Sequence, residues 1–336
     1  MSKTSTEPVR HTLNGPTMGT RWSAAFFAGA DHDPAPLRRA LQAAVEEVDA
    51  RMSTWRADSD LMRLNAAAVG EWVSLPAHLM TVLRLGLDIG RASGGAFDIG
   101  LGDAVAAWGF GPAPADAARI RRALSVARRP AHEVLDLDTA AGRVRKAAPM
   151  TLDLNGIAKG YGVDRLAQTL RDRGVPSALV GIDGEMRAFG PRPDGKAWSV
   201  AVEAPDPERR TAHSVLELRD GAVATSGDYR HRIRLGNATL SHTMDPRRGG
   251  PLLASPASVT VVARSCAEAD GWASALMVLG KEEGVALARR LGLHALFLLR
   301  EQDALRPLAV GDLFGARIGA DEGRPRSALA ASRPLK

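Results

Sequence analysis

The chain has 336 residues, 45% of them hydrophobic, which is enough to bury a substantial core in one large domain or in two closely packed ones. A single cysteine, Cys266, excludes an intramolecular disulfide and a cysteine-rich metal site. The net charge of +6 allows weak attraction to polyanions, but the arginines are scattered beside acids and only 4% of the residues are aromatic, so no nucleic-acid partner is expected.

The amino-terminal segment, residues 1–11, is polar and has neither the apolar core of a signal peptide nor a cysteine for lipid attachment. The chain also lacks a run of about 20 apolar residues, so no membrane span is expected. As written, the sequence therefore predicts a cytoplasmic protein, or a periplasmic one if an export signal has been removed.

In the first half of the chain, apolar residues recur mostly at helical spacing. Asp33-Pro34 predicts a helix start, because proline favours the first turn, and Ser93-Gly94-Gly95 predicts a helix stop. The predicted elements are a strand over residues 21–27, helices over 37–52, 61–64 and 76–91, and a short helix followed by a hairpin between 113 and 149.

In the second half, short strands are clustered around a few helices. From Thr151 we predict a strand, a glycine-rich turn, a helix over 158–173 and a strand over 177–182. Further strands are predicted over 198–203, 213–218, 222–225, 238–241, 258–263 and 294–299, and two further helices over 267–279, ending at Gly280, and 285–291. This clustering indicates an α+β fold rather than a regularly alternating α/β sheet.

The most informative stretch for chemistry is Ser241-His242-Thr243-Met244-Asp245-Pro246, which is followed by a helix that places Asp270 and Ser274 one turn apart. His242 offers a proton acceptor near neutral pH. Oxygen ligands at positions i and i+4 suit Mg²⁺ better than zinc, and enzymes usually hold Mg²⁺ by one or two carboxylates together with substrate phosphates. These residues predict phosphate chemistry on a nucleotide.

The segment from Asn155 to Gly160 opens a predicted helix and is rich in glycine. The free N–H groups and the positive dipole end of such a helix can receive a phosphate, and Lys159 would add a positive charge. A lone glycine-rich helix start is weak evidence by itself, because most such turns are only tight connections.

Eight local signatures occur in a fixed order along the chain. They are Gly15-Pro-Thr-Met-Gly-Thr20, Met52-Ser-Thr-Trp-Arg56, Gly95-Ala-Phe-Asp98, Trp108-Gly-Phe-Gly111, Leu152-Asp-Leu-Asn-Gly-Ile-Ala-Lys-Gly-Tyr161, Ser226-Gly-Asp-Tyr229, Ser241-His-Thr-Met-Asp-Pro246 and Glu268-Ala-Asp270. In this order and spacing they resemble the FAD:protein FMN transferase family, also called the ApbE or flavin transferase family. The resemblance covers roughly residues 12–300.

The resemblance implies a two-lobed, T-fold-like single domain with antiparallel or mixed sheets and packed helices, which we place at residues 12–318. Residues 319–336 are basic and are expected to form a disordered tail. The implied reaction is a Mg²⁺-dependent transfer of FMN from FAD to a threonine hydroxyl of an acceptor flavoprotein, with release of AMP.

The resemblance also implies a role for individual residues. His242 would be the general base; the competing interpretation is a structural histidine bonded to a backbone carbonyl. Mg²⁺ would be held by Asp270 and Ser274 and by the backbone carbonyls of Ala158 and Ala273. Without the resemblance, a helical aspartate followed by a serine is more typical of a cap or a solvated face.

Positions that match flavin contacts in relatives are Met18, Trp55, Ala96, Phe97, Asp98, Asn155, Tyr161 and Met244. Aromatic and sulfur-bearing faces suit the isoalloxazine and adenine rings, although core packing explains Phe97, Met18 and Met244 equally well. Two positions depart from the family pattern. Asp183 stands where relatives usually have glycine, and Arg248 stands where threonine is common.

Two other functions use the same residues. In a Mg²⁺-dependent FAD pyrophosphatase, water would replace the threonine and free FMN would be released. A flavin-binding protein without turnover would retain intact FAD. In relatives the acceptor threonine lies in an Asp-x-x-(Ser/Thr)-Gly-Ala-Thr motif, but this sequence does not identify the acceptor.

Overall fold

The computed structural model describes residues 7–229, 232–235, 238–301 and 304–314. The predicted tail at 319–336 lies outside these ranges. The helices are α1 (Ala35–Met52), α2 (Asp60–Ala66), α3 (Ala77–Ala92), α4 (Gly102–Ala107), α5 (Ala117–Ser125), α6 (Ala131–Val134), α7 (Ala158–Asp172) and α8 (Cys266–Leu291).

The strands are β1 (Val9–Thr17), β2 (Thr20–Ala28), β3 (Trp72–Ser74), β4 (Leu135–Asp138), β5 (Arg143–Lys146), β6 (Ala178–Ile182), β7 (Glu185–Phe189), β8 (Trp198–Glu203), β9 (Ala212–Leu218), β10 (Gly221–Gly227), β11 (Arg232–Leu235), β12 (Ala238–Ser241), β13 (Met244–Asp245), β14 (Gly250–Pro251), β15 (Ser258–Ala263), β16 (His294–Glu301) and β17 (Ala304–Val310). A short 3-10 turn follows at Asp312–Phe314.

Eight strands form the main sheet, in the order β1-β2-β6-β7-β10-β15-β16-β17. Every neighbouring pair in it is antiparallel. Helices stand beside these sheets rather than alternating with parallel strands, so the predicted α+β class is confirmed.

Helices α1, α7 and α8 cover one face of the main sheet. The buried sides of α1 and α7 share an apolar cluster with β1, β2 and β6, in which Leu41 and Leu166 are fully buried. Helix α8 packs on β15 and β16 through Leu276 and Met277. Each helix therefore stabilises the fold by burying one apolar stripe against the sheet.

The opposite face of the main sheet is covered by a two-stranded ribbon, β8 and β9. The inner side chains of this ribbon, Trp198, Val200 and Leu216 among them, are buried against sheet residues such as Ala188 and Leu296. The outer side chains alternate with them and are exposed, as expected of a strand with one face in water.

Most predicted element boundaries agree with the structure. Helices α1, α2 and α3 occupy the predicted positions, and the side chain of Ser59 caps α2 by accepting the N–H of Met62. The two predicted helices near the carboxyl end form α8, which is interrupted at Gly280 with φ 70° and ψ −160°. Strand β1 starts at Val9, three residues before the predicted domain start at residue 12.

The strand predicted from Thr151 is wrong. Thr151 makes one isolated parallel bridge with Leu101, and the chain then turns. The turn forms because the carboxylate of Asp153 accepts the backbone N–H of Asn155 at 2.9 Å, which gives the backbone a local alternative to a strand.

Among the described residues, no helix combines the length and the apolar character needed to cross a bilayer.

Candidate active site

A cavity of about 1540 Å³ opens between the end of the main sheet, the ribbon of β8 and β9, and helices α7 and α8. All but two of the predicted site residues line it. Those that do are His242, Met18, Trp55, Ala96, Phe97, Asp98, Asn155, Met244, Ala158, Asp270 and Ser274. The cavity exceeds the usual ~300–1,000 Å³ of small-ligand sites, so it can admit a large ligand.

The predicted metal ligand Asp270 lies in the first turns of α8, at the point where α8 touches the start of α7. Asp270 is 5% exposed, and its carboxylate accepts the backbone N–H of Gly160 at 3.0 Å. Burial and the neighbouring charge of Glu185 raise the pKa of Asp270 to about 7, against the opposing effect of Lys159. Ionised Asp270 is therefore poorly compensated by the protein alone, and a cation could compensate it.

Ser274 lies one helical turn after Asp270 and also faces the cavity. Its hydroxyl oxygen is 3.2 Å from the hydroxyl oxygen of Ser226 at the end of β10. Within the described ranges, no three His, Cys, Asp or Glu side chains come together as a metal site. A cation beside Asp270 would therefore depend on hydroxyl and backbone carbonyl oxygens, a donor set that suits Mg²⁺.

His242 lies in the connection between β12 and β13 and lines the same cavity as Asp270 and Ser274. Its ring meets the ring of Phe110 edge to face, with the centroids 6.4 Å apart. The turn after β13 is anchored separately, because the indole N–H of Trp108 donates to the carbonyl of Gly249 at 3.1 Å. The contact with Phe110 lies on the cavity wall, since both residues line the cavity.

The predicted flavin positions differ in exposure. Ala96, Phe97 and Met244 are buried, whereas Trp55 is 64% exposed at the rim. Asp98 organises its own loop, since its Oδ1 accepts the N–H of Gly100 at 2.8 Å and of Ala131 at 3.1 Å. Burial raises the pKa of Asp98.

Met18 reaches the cavity because of the turn that joins β1 and β2. Thr17 pairs with Thr20, so Met18 and Gly19 form a two-residue hairpin loop. Both have positive φ, 44° and 71°, which is the geometry of a type I′ turn. The methionine side chain then packs against the apolar cluster beside the cavity.

Two predicted residues do not line the cavity. The hydroxyl of Tyr161 is 2.6 Å from Nδ1 of His78, in a contact between α7 and α3. The side chain of Ala273 is buried among the apolar residues between α8 and the main sheet. Their assignments as flavin contact and metal ligand stay predictions.

The start of α7 differs from the predicted phosphate site in one respect: several of its polar groups already have partners. The N–H of Ala158 donates to the carbonyl of Leu154 at 2.8 Å, and that of Gly160 donates to Asp270. The ammonium group of Lys159 is 2.7 Å from a carboxylate oxygen of Glu185. Lys159 therefore balances buried acids in this structure.

Asp153 and Glu185 are among the acidic cavity residues that were not predicted from the sequence. Burial raises the pKa of Asp153 to about 6, and Glu185 is 3% exposed beside Lys159. For Asp153 a signal existed, namely a lone acid between Leu152 and Leu154. For Glu185 no local signal existed, because its partner lies 26 residues away.

The two departures from the family pattern have different surroundings. Asp183 lines the cavity with φ 57°, a left-handed conformation that aspartate adopts more readily than most residues. The side chain of Arg248 is exposed in the turn after β13. Asp183 therefore adds a carboxylate to the cavity wall, whereas Arg248 does not line it.

The fold and the cavity define a class: an α+β protein whose large cavity combines apolar faces with a histidine and buried carboxylates, as in enzymes with large ligands. The sequence profile of the ApbE family matches residues 18–297. A protein from Vibrio cholerae named FAD:protein FMN transferase is 35% identical over 300 residues, covering 88% of this chain and 90% of that protein. One of the same name from Escherichia coli is 31% identical over 306 residues, covering 88% and 85%.

Solved structures agree with this. A flavinyl transferase ApbE from Pseudomonas stutzeri, in its apo form, has a TM-score of 0.80 at 36% identity, covering 93% of this chain and 99% of that one. The flavin transferase ApbE from Vibrio cholerae has a TM-score of 0.79 at 33% identity, covering 92% and 99%. The chain belongs to the ApbE family, and it is an enzyme.

Proposed function

We propose that the chain transfers FMN from FAD to a threonine hydroxyl of an acceptor flavoprotein, in a Mg²⁺-dependent reaction that releases AMP. The name shared by its relatives supports the flavin transfer. The observation that carries the proposal is that His242, Asp270 and Ser274 line one cavity together with the aromatic side chains of Trp55 and Phe97.

The residues around Asp270 fit a Mg²⁺ ion. Asp270, Ser274 and Ala158 line the cavity, and their carboxylate, hydroxyl and backbone carbonyl would supply hard oxygen donors. Burial and the charge of Glu185 raise the pKa of Asp270, so a bound cation would offset the charge of this carboxylate. When bound, Mg²⁺ would neutralise charge on the pyrophosphate and polarise its oxygens.

His242 supplies the base that the transfer needs. The threonine hydroxyl gives its proton to the imidazole while its oxygen forms a bond to the FMN phosphorus. The bond between that phosphorus and the bridging oxygen breaks, and AMP leaves with the bridging oxygen. The bulky apolar wall around Phe97 and Met244 holds the flavin end and limits access of water.

The test is to incubate the protein with FAD, Mg²⁺ and an acceptor domain that carries the Asp-x-x-(Ser/Thr)-Gly-Ala-Thr motif. We expect the acceptor to gain the mass of one FMN and AMP to appear in equal amount. His242→Ala should lower the transfer rate by a factor of about 100 or more while FAD still binds. The matched control is His213→Ala, because His213 lies on β9 and does not line the cavity.

Other outcomes would contradict the proposal in distinguishable ways. Release of AMP at the same rate without an acceptor would indicate a pyrophosphatase. Retention of intact FAD in the presence of acceptor and Mg²⁺ would indicate a binding protein. Full transfer by the His242→Ala variant would remove the proposed base.

A further inference from the structure

One edge of strand β8 borders the cavity and, along Ser199, Val200 and Ala201, pairs with no strand among the described residues. These three residues line the cavity. Ser199 and Ala201 are exposed on one face of the strand, whereas Val200 is buried on the other. Because lining residues come from both faces, the cavity meets β8 along its edge. In the described part of the chain, β8 pairs with β9 alone, so this edge presents main-chain N–H and C=O groups to the cavity.

The edge is held in a fixed position. Trp198, Val200 and Val202 anchor β8 in the apolar cluster on the main sheet. The indole N–H of Trp198 also donates to the carbonyl of Gly190 at 3.0 Å. A rigid edge loses little conformational entropy when a ligand pairs with it, which favours binding.

The connection that follows β8 extends this wall over the cavity, because residues 206–210 all line it. The carboxylate of Asp206 accepts the backbone N–H groups of Glu208 at 2.8 Å and Arg209 at 3.2 Å. The N–H of Ala204 donates to the carbonyl of Thr211 at 2.8 Å and closes the connection. The connection is therefore an ordered turn, and its acidic and basic side chains both line the cavity.

We propose that the β8 edge binds the acceptor polypeptide as an added strand and directs its accepting hydroxyl toward His242. This inference rests on the proposed function, since it requires a polypeptide acceptor. An extended peptide is the one reactant whose regularly spaced N–H and C=O groups match a strand edge, whereas a dinucleotide has no such repeat. The edge and His242 line the same cavity, so a strand bound along the edge enters the cavity that holds the base.

A pair of variants tests the edge. Ala201→Lys places a long charged side chain at the edge, a substitution that discourages strand pairing. Val215→Lys is the matched control: Val215 pairs directly with Ala201 on the neighbouring strand and is 62% exposed, but it does not line the cavity. We expect Ala201→Lys to raise the KM for the acceptor about tenfold, with the KM for FAD and kcat within about twofold, and Val215→Lys to change none of them.

A second measurement separates this inference from the proposed function. Peptides carrying the Asp-x-x-Ser-Gly-Ala-Thr motif are N-methylated at one backbone amide at a time, and their binding to the FAD-loaded His242→Ala variant is followed by fluorescence anisotropy. Strand pairing predicts that methylation weakens binding about tenfold at every second amide and leaves the intervening ones near the parent value, since successive N–H groups point in opposite directions.

The alternating pattern, together with weaker binding of the parent peptide to the FAD-loaded Ala201→Lys variant than to the Val215→Lys variant, supports the β8 edge. These binding measurements do so even if the wild-type enzyme transfers no FMN, in which case only the proposed function fails. The inference is overturned if the wild-type enzyme transfers FMN and both lysine variants have the same KM for the acceptor. It is also overturned if methylation weakens peptide binding equally at every amide. Either result leaves the proposed function standing. If the wild type is a dimer and Ala201→Lys dissociates it, the β8 edge pairs with a second copy of this chain. That result also overturns the inference.

Discussion

At the scale of single residues, the contact between Gly160 and Asp270 brings α7 and α8 together at the cavity. A β-carbon at Gly160 would lie 2.4 Å from the carbonyl oxygen of Cys266 and 2.8 Å from the β-carbon of Asp270. We expect Gly160→Ala to lower the free energy of unfolding by about 1–3 kcal/mol and to impair transfer, because the helices must separate. Chemical denaturation measures this. Gly29→Ala is the control, since no atom lies within 4 Å of its added β-carbon; equal losses in both variants would refute the argument.

The raised pKa of Asp270 predicts how stability depends on pH. In the fold its pKa is about 7, above the ordinary 3.8, so the folded state binds this proton more tightly than the unfolded state. The contribution to stability is therefore fully present below about pH 4 and is lost as the pH rises through about 7. In the absence of divalent cations, Asp270→Asn should be more stable than the wild type at pH 8 by about 1 kcal/mol or more, and the difference should shrink toward pH 4.

Thermal denaturation with and without Mg²⁺ checks this prediction. Mg²⁺ should raise the Tm of the wild type more at pH 8 than at pH 5, because a proton and the cation compete for the same carboxylate. The Asp270→Asn variant should show little response at either pH. A Mg²⁺ response that survives this substitution would place the cation elsewhere.

The sequence predicts which residue types form the site better than it predicts their partners. His242, Asp270 and Ser274 were predicted from their chemistry and from ordered motifs, and they do line one cavity. Lys159 was predicted to meet phosphate, but it is paired with Glu185. Tyr161 pairs with His78, 83 residues away. Such pairings depend on tertiary packing, which local spacing does not encode.

At the scale of elements, the contact between His78 and Tyr161 links α3 to α7. Burial and the charge of Arg165 lower the pKa of His78, so the fold favours its neutral form. Its contribution to stability is complete above pH 6.5 and is lost as the pH falls below that value. Between pH 7 and pH 5 the wild type should lose more stability than His78→Gln, by less than about 1 kcal/mol because the ring is partly solvated. Parallel pH profiles from chemical denaturation would contradict this.

Element types were predicted well where the apolar period was long and clear, as in α1 and α3. The prediction failed at Thr151, where alternating apolar residues imitate a strand but the side chain of Asp153 bonds the backbone two residues on. It also missed β1, whose strand partner is supplied by β2 and whose own side chains are mostly exposed or half-buried. Apolar periodicity is weak in such an edge strand.

At the scale of the whole molecule, charge is distributed unevenly. The chain carries a net charge of +6, yet acidic side chains outnumber basic ones in the cavity lining. FAD is itself anionic, so its binding should depend on divalent cations. We expect EDTA to weaken FAD binding about tenfold or more, as measured by flavin fluorescence.

Riboflavin is the matched ligand for this experiment, because it has the same ring system and no phosphate. Its affinity should change by less than about twofold on addition of EDTA, since no pyrophosphate charge is involved. If EDTA leaves FAD binding unchanged, the cation does not assist substrate binding. If EDTA weakens both ligands equally, the cation stabilises the protein rather than the pyrophosphate.

The order of strands in the main sheet follows their order along the chain. Each long connection therefore leaves the sheet from one strand and returns on its neighbour. Several cavity residues lie on such connections: Trp55 and Phe97 between β2 and β6, Ala201 between β7 and β10, His242 between β10 and β15, and Asp270 between β15 and β16. Such a connection can be lengthened, shortened or grafted without breaking the hydrogen-bond ladder beneath it. On the proposed function, the scaffold is thus suited to exchanging the acceptor protein through changes in the turn at residues 204–211, while β8 and β9 keep the main sheet covered and the other cavity residues stay in place.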